Sequence, residues 1–393
     1  MLGPVQQVLA SAMVNTTGLL GVVLLARHGD RLEFFQDPLT YNPAQTFITP
    51  LGSVEEYQLG SFLRSLYINT SSSSYINGLN TDVVNITQLD VRADASGEGS
   101  VIVNSVQALL QGLYPPTTDN NITLANGSTI IAPLGGYQYI PVDSVEEDLD
   151  ISLNSFTDCP NFDAHISEFY SSPGFLAEAQ EAAPFLADLA PYLGNRSTNF
   201  TNMWNIFDYV NVQSIHNKTF YDILPAGYEE QAYYYANYHE NGVFTDPVSV
   251  GGIGNIAIQT ILPSIFTALT SMADGSDGVL LMINEISYKP FISLFNVTDA
   301  ALADPSIAGI VDYAAAVALE LSAGDPEPLV TMKLKNGTTD AEFHTLSLFG
   351  TAGGVPLSQF IDTLAPIAVN NTQQWCAACN QTTLRGCSVY YPS

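Results

Sequence analysis

Arg27-His28-Gly29-Asp30-Arg31 closes an apolar run, Gly21-Val22-Val23-Leu24-Leu25-Ala26. Two guanidiniums thus flank one imidazole, in a chain with only ten Lys and Arg and a formal charge of −29. The apolar run predicts a buried strand, and in open parallel sheets ligands bind beyond the carboxyl ends of strands. The chemistry this trio offers is attack on a bound anion. Arg27 and Arg31 supply forked donors that match phosphate oxygens. Their charge disfavours the imidazolium, so His28 stays a neutral nucleophile at lower pH. Charged strand ends are often merely solvated, but cations are too scarce here for that to be the default.

A second strand end carries the complementary group. Val279-Leu280-Leu281-Met282-Ile283 reads as a buried strand, Asn284-Glu285 stand at its carboxyl end, and a helix follows over 286–295. Strand, site and helix at both places predict an α/β core with a parallel sheet. Glu285 then faces His28 across one crevice, as an acid able to protonate a leaving oxygen. The competing role for Glu285 is a helix-start carboxylate, stabilised by the dipole by about 0.3–1 kcal/mol.

The elements that position these residues are legible in outline. Helices are expected over 51–67, over 102–113 up to Pro115-Pro116, over 255–272 and over 356–364. Short strands are expected over 89–92, 329–334 and 345–348. From about 117 to 242 the chain changes character, with polar turns, prolines and short helical patterns such as 174–193. The expected fold is therefore a three-layer α/β sandwich from 18–116 and 243–393. Its mainly parallel sheet is flanked by helices, and 117–242 forms an inserted, mostly helical cap.

Composition bounds the function. Hydrophobic residues make up 46 % and charged residues 12 % of the 393, enough for a sizeable core and too few charges for disorder. A pI near 4.1 excludes nonspecific nucleic-acid binding and argues against anionic membrane surfaces. Any anion site would be a local positive island. No run of about eighteen uninterrupted apolar residues occurs, so no membrane span is expected. The N-terminal stretch has no basic residue before Arg27 and makes a poor signal peptide.

Secretion is argued instead from glycosylation sequons at Asn15, Asn69, Asn85, Asn121, Asn126, Asn195, Asn199, Asn217, Asn296, Asn336, Asn370 and Asn380. Chance would give on the order of four or five. N-linked glycans and an extracellular location are expected. Cys159, Cys376, Cys379 and Cys387 allow two disulfides in any of three pairings. His239-Glu240, in a Tyr-rich segment without a preceding strand, reads as structural or capping, and His165, His216 and His344 have no supporting constellation. No HExxH, P-loop or dinucleotide fingerprint occurs, so neither metal nor cofactor is expected. The sequence sets no oligomeric state.

Several of these segments together resemble the histidine acid phosphatases, branch 2 of the histidine phosphatase superfamily. They are RHGDR, TPLGSVEEYQLGSFLRSLY, SVQALLQGLYPP, VLLMINEISYKPFISLF, YAAAVALEL, MKLKNG and PLSQFIDTL, in that order over nearly the whole chain. The resemblance implies a phosphohistidine at His28, phosphoryl binding by Arg27 and Arg31, and proton donation by Glu285. It also implies departures. Asn284 stands where the family's late pair begins with His, and Glu33 stands where a proline is usual. The third pocket arginine aligns near Val101, behind a cation-free Gly97-Glu98-Gly99 loop, which leaves Arg92 as the substitute.

A hydrogen bond to a charged group contributes about 1.5–3 kcal/mol. Losing one such arginine contact and one weaker histidine contact would cost roughly 2–5 kcal/mol, about 30- to 4000-fold in rate. The expectation is a secreted phosphomonoesterase acting on a small phosphorylated substrate, with a weakened pocket of Arg27, Arg31, Arg92 and Asn284. The alternatives are a pseudophosphatase that binds anions without turnover, and a repurposed enzyme on a non-phosphorylated substrate, which Glu98 slightly favours.

Overall fold

The computed structural model describes residues 18–35, 46–96 and 100–391. The apolar N-terminus, Asn15 and Gly97-Glu98-Gly99 lie outside the described residues.

Eight strands form the central sheet: β1 (Leu19–Arg27), β2 (Leu89–Asp94), β3 (Asp143–Val145), β4 (Leu281–Ile286), β5 (Ala316–Ser322), β6 (Leu329–Lys335), β7 (His344–Thr345) and β8 (Val355–Pro356). Their order is β8-β6-β5-β1-β4-β2-β3, with β7 also on β6. The pairs β1/β4, β4/β2 and β2/β3 are parallel. The pairs β1/β5, β5/β6, β6/β7 and β6/β8 are antiparallel. Five strands (β1, β2, β3, β4, β6) therefore run one way, so the sheet is mixed with mainly parallel strands.

Val22, Val23, Leu24 and Ala26 of β1 are wholly buried, as expected for a strand covered on both faces. On one face Leu24, Ala26, Leu281 and Ile283 pack under α1 (Pro50–Leu63) and α2 (Val101–Leu113). Thr49 caps α1 by accepting from Gly52 N, and Pro50 occupies its first turn. The two helices cross in contact, since a Cβ on Gly60 would strike the Leu109 carbonyl. The other face takes a helical stretch: α3 (Pro160–Ser171), α4 (Pro173–Leu189), α5 (Met203–His216), α6 (Tyr228–Val243), α7 (Leu262–Asp274), α8 (Lys289–Val297) and α9 (Leu357–Leu364). Phe175, Ile206, Ala236 and Ile265 share one continuous hydrophobic cluster with Leu25 and Val317 of the sheet.

One expectation needs correction. The stretch 117–242 is not wholly outside the sheet, because β3 pairs in parallel with β2. Ala316–Ser322 is a central strand, although its Ala, Leu and Glu content favours a helix. Burial on both faces overrides that propensity, with Ala316 to Leu319 fully covered. The helical run 253–274 is apolar and long enough to cross a membrane, yet 67 % of that window is buried inside the fold. The cysteines pair as Cys159–Cys379 and Cys376–Cys387.

Candidate active site

His28 is the last residue that the sheet holds on both sides. Its N–H donates to the Ile286 carbonyl at 3.2 Å, and its own carbonyl accepts from Ala314 N at 3.2 Å. Gly29 then meets Gly52 at the start of α1 so closely that a Cβ on either would strike the other strand of backbone. Gly29 N donates to Ser105 Oγ of α2 at 3.1 Å, and Asp30 N donates to Glu55 Oε2 of α1 at 2.8 Å. The loop after β1 is thereby clamped to both helices.

His28 Nδ1 lies 2.9 Å from the Gly29 carbonyl. A carbonyl only accepts, so Nδ1 carries the proton and the lone pair of the neutral ring falls on Nε2. The register places Ala26 opposite Glu285 and Arg27 opposite Ile286. Alternation then puts His28 and Glu285 on the face under α1 and α2, at adjacent strand ends. Glu285 is fully buried, and neither of its oxygens has a hydrogen-bond partner among the described residues. Burial pushes its carboxyl up to about 8. Glu56 of α1 is also fully buried and is raised by burial, then by the charges of Glu285 and Glu55.

Arg27 and Arg31 line a cavity of about 390 Å³. The Arg27 guanidinium lies 4.3 Å from the Tyr313 ring centre and 5.2 Å from that of Tyr288, and its Nη1 donates to the Val311 carbonyl. Its Nε is buried without a hydrogen-bond partner among the described residues. Arg31 Nη1 pairs with Asp208 Oδ1 of α5 at 2.7 Å, and Asp208 Oδ2 accepts from Phe34 N at 2.7 Å. Further along α5, His216 Nε2 lies 2.7 Å from Asp30 Oδ2, and Gln213 bonds Glu33. His216 thus has the constellation that its sequence context concealed. The signal was there only as spacing: Asp208 and His216 stand eight apart, two turns along one helix face.

The remaining wall is aromatic, with Phe34, Phe156, Trp204, Phe244 and others. Its polar part is a hydrogen-bonded chain. Tyr288 Oη donates to Glu240 Oε2 at 2.7 Å, His239 Nδ1 lies 2.7 Å from Glu240 Oε1, and Tyr170 Oη lies 2.9 Å from His239 Nε2. His239-Glu240, expected to be structural or capping, therefore lines the same cavity as the two arginines.

Three expectations fail here. Arg92 projects on the sheet face of Asn284, donates to Asp150 and Ser152, and lines a different cavity with Asp90 and Asp277. It shares the sheet face of Arg27 but stands two residues short of it, on the far side of β4, and those two acceptors hold it over the other cavity. Asn284 is fully buried on the face opposite Glu285, and its amide has no hydrogen-bond partner among the described residues. It does not line the cavity. Nor is the cavity a positive island, because Arg27, Arg31 and Lys289 share it with Glu55, Asp208, Glu240 and Asp312. The His28 imidazole itself is fully buried, under the Tyr313 ring at 5.6 Å.

The model of the histidine phosphatase superfamily (branch 2) matches residues 32–296. The chain belongs to that superfamily. It is 26 % identical to the prostatic acid phosphatase of Bos taurus over 390 residues, covering 93 % of this chain and 89 % of that protein. It is likewise 26 % identical to the Homo sapiens protein of the same name over 387 residues, covering 92 % and 88 %. A phytase from Citrobacter braakii superposes with a TM-score of 0.63 at 14 % identity, covering 92 % of this chain and 99 % of that one. The apo phytase of Hafnia alvei gives 0.60 at 13 %, covering 94 % and 99 %. At these identities the two phytases carry the fold alone. The branch 2 family read from the motifs is thus met by the family model.

Proposed function

We propose that this member of the histidine phosphatase superfamily hydrolyses phosphomonoesters through a phosphohistidine at His28, with Glu285 as proton donor. The observation that carries the reading is the pairing at two adjacent strand ends. An imidazole with Nδ1 tied to Gly29 O stands on the same sheet face as a buried carboxyl that keeps its proton to about pH 8. His28 Nε2 attacks phosphorus, the ester P–O bond breaks, and the leaving oxygen takes the Glu285 proton. Water then attacks the phosphohistidine, its proton passes to Glu285, and phosphate leaves with His28 neutral. Arg27 supplies the unpartnered Nε–H to the phosphoryl oxygens, and Arg31 serves them beside Asp208.

The pocket binds phosphate weakly at neutral pH, since carboxyls crowd both arginines. Burial raises Glu55 and Asp312, so both take up protons early as pH falls. The arginines then face less negative charge, and anion affinity rises towards acid pH. The relatives' name, acid phosphatase, fits that direction.

We further infer a secreted glycoprotein. Eight sequon asparagines (Asn69, Asn121, Asn126, Asn195, Asn199, Asn217, Asn370 and Asn380) are exposed, while Asn85, Asn296 and Asn336 are half-buried. Two disulfides suit an oxidising compartment.

The test is turnover of an aryl phosphate at acidic pH, with acid-quench trapping of phosphorylated His28. His28→Ala should abolish both signals; undiminished turnover in that variant rules the mechanism out. A second reading, anion binding without turnover, is favoured by the Arg31–Asp208 pair and by the buried imidazole. It predicts bound phosphate and no trapped phosphohistidine.

A further inference from the structure

The Arg27 guanidinium lies against two tyrosine rings, Tyr313 at 4.3 Å and Tyr288 at 5.2 Å. A guanidinium packed on aromatic rings keeps its in-plane N–H groups to meet an anion. One edge is spent on Val311, and Nε–H is buried without a partner among the described residues. One of these two rings is not free to turn. Tyr288 Oη is tied to Glu240 at 2.7 Å, Glu240 is tied to His239 at 2.7 Å, and His239 to Tyr170 at 2.9 Å. Glu240 and His239 are 3 % and 1 % exposed and belong to α6, whereas Arg27 and Tyr288 belong to the sheet and the turn after β4.

A carboxylate buried for stability alone is a poor device, since well-packed apolar side chains of equal volume do as well or better. Fixing a long cation in advance is a better account, because an unrestrained arginine loses its rotamer freedom when it binds. The need is particular to this chain. Arg92 is turned away and Arg31 is shared with Asp208, so Arg27 carries most of the anion recognition.

We propose that Glu240, backed by His239, is a positioning residue for phosphate binding: it anchors the Tyr288 hydroxyl, so that Tyr288 and Tyr313 grip Arg27 with its donors towards the phosphoryl group. The helical stretch thereby sets the affinity of the nucleophile loop without touching substrate. The inference rests on the phosphomonoesterase reading above.

The experiment measures inorganic phosphate Kd by calorimetry, and KM and kcat on an aryl phosphate, with the full chain. Tyr288→Phe keeps the ring and cuts the tether. It should raise phosphate Kd and KM about 3- to 30-fold, with kcat within about twofold and an unchanged melting temperature. Glu240→Leu should do the same. Glu240→Gln still offers an oxygen to Tyr288 and should restore affinity close to the wild type. Wild-type phosphate Kd in either Tyr288→Phe or Glu240→Leu overturns the inference. So does a fall in kcat and melting temperature with Kd unmoved, which is the signature of a merely structural contact. A wild-type protein that neither binds nor turns over phosphate removes the phosphomonoesterase reading and this inference with it. Binding that the variants leave unchanged removes this inference alone.

Discussion

Glu285→Gln should flatten the pH dependence of folding stability while it removes the proposed acid. Both Glu285 oxygens are buried without a hydrogen-bond partner among the described residues, and burial lifts the carboxyl from the ordinary 4.5 to about 8. The sign follows from proton counting. Below about pH 4.5 the folded and unfolded chains both hold this proton. Between the two values the unfolded chain releases it and the folded chain does not, so stability falls as pH rises. Each pH unit costs about 1.36 kcal/mol, and the full window costs roughly 5 kcal/mol. Above about pH 8 both states are ionised and the loss stops. Glutamine is neutral throughout and has no such term. Glu55, Glu56 and Asp312 are raised as well, so the variant keeps a residual slope of the same sign. The assay is urea unfolding of wild type and variant at about pH 4.5, 6 and 8. The difference between them should move by several kcal/mol in favour of the variant over that range. Parallel stability curves would show that Glu285 is not held protonated by the fold, and its role as donor would go with that. In the same variant, turnover of an alkyl phosphate should fall by about 10²–10⁴, while an aryl phosphate with a good leaving group falls far less.

Asp208→Asn should tighten inorganic phosphate by about tenfold or more at neutral pH and low salt, because it removes a charge beside Arg31 at an effective dielectric near 20. The amide oxygen still accepts from Arg31, so a weaker phosphate Kd would mean that the carboxylate aids the site. Tyr313→Ala takes the ring off His28, so an imidazole-acylating reagent should modify His28 faster, while phosphate affinity drops for want of one ring against Arg27; unchanged labelling would mean that another group closes the site. Loss of the Cys159–Cys379 bridge, at a sequence separation of 220, should cost more than loss of Cys376–Cys387, at 11. Loop-closure entropy puts these at about 5 and 3 kcal/mol, measurable by denaturant titration of the two double-alanine variants, and the reverse order would refute that account.

The α/β class, the strand at 19–27 and the neighbourhood of His28 and Glu285 were readable because each rests on a local signal. An apolar run names a buried strand, and a charged cluster at its end names a site. Ala316–Ser322 was not readable as a strand, since its local propensity is helical and only its place beside β1 decides otherwise. Arg92 misled for the same kind of reason. Its residue type suited the pocket, but how far along the sheet it stands, two residues short of Arg27, depends on register with β4, and its acceptors, Asp150 and Ser152, come from a loop far along the chain.

Charge balance in the cavity is the clearest case of what a linear reading omits. Glu55 comes from α1, Asp208 from α5, Glu240 from α6 and Asp312 from the approach to β5. In the sequence these four are indistinguishable from the other acids of a −29 chain. Folded, they converge on three cations and set the sign of the field that a phosphate would meet. Affinity for an anion here therefore depends less on how many arginines the motif supplies than on how rigidly Arg27 is held and how many nearby carboxyls keep their protons. Both quantities grow from packing, so a chain can retain the RHGDR motif and still differ widely from its relatives in how well, and at what pH, it takes phosphate.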